Sequence, residues 1–104
     1  MARPVVVPSP GATIELRRTD ACTGVTVTVT GEMGHGDAAV LSRCLHAELD
    51  ALPSVVVVDV RGVTRRGRTY SEVLEVARTR ARCAGIGMHV LDALPPVDGG
   101  RVGS

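Results

Sequence analysis

The chain has 104 residues, a net charge of +1 and 44% hydrophobic residues, so it encodes one small domain and carries no global field towards nucleic acid or membrane. Tyr70 is the sole aromatic residue, so the core must be built from Val, Leu, Ile and Ala. All 12 basic side chains are arginine, and Cys22, Cys44 and Cys83 fit neither a zinc motif nor a disulfide framework. Reduced thiols point to a cytoplasmic protein, with Cys44 and Cys83 as small core residues.

Residues 1–11 read as a loose, Pro-rich lead-in whose run of three valines is too short for a signal or a membrane span. Ala12–Arg18 and Val25–Thr30 alternate apolar and polar residues, so they are predicted to form an antiparallel hairpin around the turn chemistry of DACTG. After the loop GEMGHG, Asp37 is placed as a helix N-cap. Ala38, Leu41, Leu45, Leu49 and Leu52 then mark the inward face of a helix that Pro53 ends, with His46, Glu48 and Asp50 on the other face.

Val55–Val60 (VVVVDV) opens on a continuous run of four valines, the pattern of a strand buried on both faces in a parallel sheet. It leads into a loop holding Arg61, Arg65, Arg66 and Arg68. A second helix is predicted from Ser71 to about Ala84, with Ser71 as its cap and Val73, Leu74, Ala77 and Ala81 inward. Gly85 stops it, Ile86–Asp92 forms the last strand, and residues 93–104 read as a flexible tail.

The order β-β-α-β-α-β gives an α/β domain over residues 12–92, a small mixed β-sheet with helices packed on it. Its last three strands run parallel, so the GEMGHGD loop and the arginine loop both leave carboxyl ends of strands and share one rim. Loops beyond such ends are the usual docking places of open α/β sheets.

The succession VTVTVTGEMGHGDAAVLSRCL, then VVVVDVRGVT, then ARCAGIGMHVLD resembles the STAS domain of bacterial anti-sigma-factor antagonists, over about residues 14–91. Gly31-Glu32 and Asp59, Gly62, Val63 and Thr64 carry the resemblance. It implies a module that binds an anti-sigma factor of serine-kinase type and is switched by phosphorylation at the start of the second helix. The family's D-S-[ST]-G loop corresponds here to Gly67, Arg68, Thr69 and Tyr70, and the Asp of its earlier loop to Gly34. Thr69 keeps a hydroxyl at a matching position and Ser71 is the other phosphorylation candidate. The family's final helix is replaced by a Pro/Gly tail.

Around these, Glu32, His35, Asp59, Arg65, Arg66, Arg68 and Tyr70 are the partner- or anion-binding candidates. Arginines beside a helix start suit phosphate or carboxylate. Asp59 is expected to hydrogen-bond the adjoining loop, and Tyr70 to be either a contact anchor or a local packing plug. His35 lacks an orienting partner and a nucleophile in the sequence, so neither enzyme chemistry nor any cofactor is expected. DNA binding is not expected either, with near-neutral charge and no aromatic platform. Two alternatives to the regulatory module stay open. One is a degenerate scaffold or subunit of this fold in a homo- or hetero-oligomer, a homodimer among them, without a switch. The other is a nucleotide- or phosphate-binding domain.

Overall fold

A computed structural model describes residues 4–18, 24–65 and 67–92. Among the described residues seven elements follow one another: β1 (Val5–Val7), β2 (Ala12–Arg18), β3 (Gly24–Glu32), α1 (His35–Asp50), β4 (Val55–Arg65), α2 (Arg68–Cys83) and β5 (Gly87–Leu91). The strands form one sheet in chain order, β1-β2-β3-β4-β5. β1–β2 and β2–β3 pair antiparallel, whereas β3–β4 and β4–β5 pair parallel. The predicted mixed sheet with parallel last strands is therefore present. It also has an added edge strand, because Val5–Val7 pairs with Leu16, Glu15 and Ile14 instead of lying loose.

Two successive right-handed crossovers stepping the same way along a sheet put both helices on the same face. Ile14, Val27, Val29, Val56, Val58 and Val60 meet Ala38, Leu41, Leu45 and Leu49 of α1 and Ala77 and Ala81 of α2 in one core. The two alanines of α2 are fully buried, and their small side chains let the helix lie close to the sheet. Along β4, half-buried Val55, Val57 and Asp59 alternate with these buried valines, so its second face is only partly covered. The Val run thus belongs to a two-layer fold, and the expectation of burial on both faces fails.

Several local expectations change for identifiable reasons. Leu52 is 70% exposed with φ 54°, although its spacing matched the inward face of α1. The residue before a proline is driven out of helical geometry, so the helix stops at Asp50 and Leu52 swings off it. Glu48 is buried, not outward, and accepts two hydrogen bonds of 2.9 Å from the Arg18 guanidinium on β2. α2 ends as predicted at Gly85, whose φ of 74° suits glycine, and Ile86 N–H donates to Ala81 O at 2.8 Å.

Cys44 is buried, but Cys83 in the last turn of α2 is exposed, so only Cys44 behaves as a core residue. Burial pushes the Cys44 thiol above its ordinary pKa. Since the thiolate is the nucleophile, limited iodoacetamide treatment near pH 8 should alkylate Cys83 well before Cys44, as read by peptide mass spectrometry. Equal rates would contradict this packing. Cys22, Arg66, most of the DACTG turn and residues 93–104 lie outside the described residues.

Candidate functional site

The rim is built from the exits of β3 and β4. Gly31 closes β3 with φ 99°, a conformation that other residues adopt only with strain. Met33, just beyond the strand, is buried and anchors the loop in the core, and its N–H donates to Arg65 O at 3.1 Å. That bond ties the two strand exits together. α1 then starts from Gly34 and α2 from Gly67, both in extended backbone geometry and both without a capping side chain.

The arginine loop is shorter than predicted. β4 runs on to Arg65 and α2 already begins at Arg68, which leaves only Arg66 and Gly67 as connection. Arg61 is consequently a strand residue. Its backbone N–H and guanidinium donate to the Asp59 carboxylate at 2.9–3.1 Å, so Asp59 does bond the segment expected of it, which here is strand and not loop. The Arg61 hydrogen bond holds Asp59 below the usual carboxylate range despite partial burial.

Ser71 is not the cap of α2 but lies inside its first turn, with its N–H donating to Gly67 O at 3.4 Å. Thr69 occupies the second helical position, half-buried. Its hydroxyl lies 2.9 Å from His35 Nδ1, at the first position of α1, so a hydrogen bond joins the two helix starts. Sequence reasoning missed this pair, because 34 residues separate its members and no local pattern links them.

Asp37 is not the N-cap either. From the third helical position its carboxylate accepts from Gly34 N–H at 3.1 Å, Gly11 N–H at 2.9 Å, Ala12 N–H at 3.0 Å and the Ser9 hydroxyl. Burial alone would raise its pKa; these hydrogen bonds outweigh that and hold it below the ordinary value. The carboxylate is thereby committed to backbone tethering and does not orient His35. Tyr70 is 4% exposed and belongs to the core, which decides for the packing plug over the contact anchor.

A cleft of about 210 Å³ lies between the helix starts, lined by Met33, Gly34, His35 and Gly67 to Tyr70. Its charge is set by the backbone as much as by side chains. Each helix N-terminus carries roughly half a positive charge, offset at α1 by the Asp37 carboxylate in its first turn, and Arg65 and Arg68 are exposed beside them. Arg68 in the first turn of α2 opposes the dipole, and that turn holds no acidic residue. Glu72 and Glu75 lie beyond that turn. Exposed Glu32 sits opposite Arg65 in the β3–β4 register.

No helix among the described residues is long and apolar enough to cross a membrane. No family model matches the chain, and no curated protein matches it in sequence. Solved structures do match its fold. An anti-sigma-factor antagonist from Mycobacterium paratuberculosis aligns at TM-score 0.65 and 20% identity, over 83% of this chain and 70% of that one. The STAS domain of an anti-sigma-factor antagonist from Rhodobacter sphaeroides aligns at TM-score 0.62 and 15% identity, over 78% of this chain and 86% of that one. The protein Mglu aligns at TM-score 0.64 and 16% identity, over 82% of this chain but 20% of that one, so there the fold is one part of a longer polypeptide. Element order, sheet topology and these alignments agree: the chain has the fold of the anti-sigma-factor-antagonist STAS domains.

Proposed function

We propose that this chain is a regulatory protein-docking module of the anti-sigma-factor-antagonist kind, which binds a partner of anti-sigma-factor, serine-kinase type through its rim. The observation that supports this reading is the convergence of two glycine-led helix starts and Arg68 on one cleft, with exposed Arg65 at the neighbouring strand exit, joined by the Met33–Arg65 and His35–Thr69 hydrogen bonds. Such a surface favours a partner that presents carboxylates or phosphate. His35 and Glu32 lie on the same rim and contribute to register, while buried Tyr70 holds the start of α2 in place.

Thr69 is the phosphate acceptor in this reading, in preference to Ser71. A phosphate on its side chain adds nearly two negative charges at a helix N-terminus, where they are favoured. It also takes the place of the hydroxyl that now bonds His35, so it changes how the two helix starts are joined. The phosphate would therefore be clamped by His35 and Arg68 instead of being repelled.

The test uses an anti-sigma factor of serine-kinase type, the full chain and labelled ATP. Label is expected on Thr69 and lost in Thr69→Ala. Binding of the unmodified chain is expected to weaken at least roughly tenfold in Arg65→Glu/Arg68→Glu, because reversed rim charges juxtapose like with like. Binding unaffected by that reversal would sink the rim assignment, and label confined to other residues would sink the choice of Thr69.

A further inference from the structure

Among the described residues the far edge of the sheet has an open side that rim docking leaves unused. β5 pairs with β4 alone, and no described residue pairs with its other side. In a parallel ladder alternate residues direct both backbone groups to the same neighbour. Gly87 N–H donates to Ser54 O at 3.1 Å, so Gly87, His89 and Leu91 face β4. The N–H and C=O groups of Met88 and Val90 therefore point out of the sheet.

Against this edge lies a cleft of about 440 Å³, lined by Arg78 and Arg82 of α2 and by Ile86, Gly87 and Met88. Met88 and Val90 turn their side chains to the helix layer, where they pack partly buried against the core. Arg78 and Arg82 are exposed, four residues apart on one face of α2. Neither is in an ion pair with any described residue, whereas Arg80 between them is tied to Asp50 and His46. Among the described residues the edge thus combines strand backbone without a pairing partner, an apolar floor and two cations outside any ion pair.

We propose that β5 accepts an added strand from a partner, an extended peptide segment with acidic side chains at alternate positions. Main-chain bonds to Met88 and Val90 supply the pairing that an exposed edge lacks. Side chains two residues apart on a strand share a face and lie about 6.7 Å apart. That spacing is close to the rise of about 6 Å between Arg78 and Arg82 along the helix. Two carboxylates on alternate residues can therefore meet both guanidiniums. A second copy of this chain is a poorer occupant, because pairing β5 with β5 would crowd the Arg78 and Arg82 of both copies into one groove.

The probe is a synthetic peptide of about six residues alternating Val and Glu, a strand of ordinary length, titrated by fluorescence anisotropy into the full chain. Saturable binding is expected, with amide exchange slowed at Met88 and Val90. Arg78→Ala/Arg82→Ala, on an exposed helix face, should keep the fold and bind roughly tenfold more weakly. A Val/Lys peptide and a Val/Glu peptide N-methylated at alternate amides should not bind. No binding of the Val/Glu peptide, equal affinity for the double variant, or equal affinity for the N-methylated peptide would each overturn the proposal. Sedimentation showing dimers that bury β5 would overturn it in favour of a second copy. Failure of the rim variants above leaves this readout untouched, since the two surfaces share no residue.

Discussion

Replacing Asp37 with alanine is expected to cost about 3 kcal/mol, since three backbone donors lose a charged acceptor at roughly 1 kcal/mol each. Water can reach the N–H groups of exposed Gly11 and Gly34, but not that of buried Ala12. A small domain with a single aromatic residue sits towards the low end of the usual range of roughly 5–15 kcal/mol. The substitution would therefore remove a large share of its stability. Urea unfolding should show a lower midpoint at unchanged slope. Ser9→Ala, which removes only a hydroxyl donor, should cost far less. Equal effects of the two would mean that the backbone bonds carry nothing.

The same carboxylate makes stability depend on pH. Its pKa is lowered in the folded chain, so its contribution is complete above the unfolded value near 3.9 and is lost as pH falls through the lower folded value. Asp59 shifts in the same direction and contributes to the same acid limb. In Asp37→Asn the loss of stability below about pH 4 should be shallower but still present. An unchanged acid limb would assign the whole dependence to other groups.

Gly31→Ala is the second large effect, expected at about 3 kcal/mol from strained backbone and a forced contact together. The φ of 99° is outside the region that alanine adopts without cost. A Cβ there would also lie 2.9 Å from Gly11 O and 3.3 Å from Ala12 Cα, both backbone atoms. Neither can withdraw without disturbing the Ala12–Gly31 pairing of β2 with β3. Gly67→Ala is the control, because its φ is −110° and nothing lies within 4 Å of the added carbon. It should stay within about 1 kcal/mol of the parent. Since Gly31 and Asp37 both act on the segment before β2, their double variant should lose less than the sum of the singles. Strict additivity would show that the two contacts are independent.

Hydropathy period made much of the fold legible in the chain itself. Alternation in ATIELRR and VTVTVT, the Val run and the two helical stripes each follow from a side-chain repeat of two or of 3.6, which is a property of the local backbone. Crossover lengths then led to the parallel pairing of β3, β4 and β5. The strand Val5–Val7 was not legible, because three residues between prolines have no period and acquire one only by pairing with β2. Both helix starts were placed three residues or so too late, at Asp37 and Ser71. A polar side chain suggests a cap wherever it stands, while the true caps are glycines chosen by the geometry of the strand exits.

The candidate site divides the same way. Residue types and order in the two loops placed Arg65, Arg68, Thr69 and His35 on one rim, since parallel strands must deliver their exits to the same edge. Which of them touch was decided only in three dimensions. Thr69 meets His35, Arg61 turns to Asp59, Tyr70 sinks into the core and Asp37 fastens the chain before β2, across separations of 2 to 34 residues. Repeating patterns fix which face a side chain occupies, but a contact between two elements depends on how far each strand runs before it ends. Here β4 carries on to Arg65, and that extension sets where α2 begins and what its first turn meets.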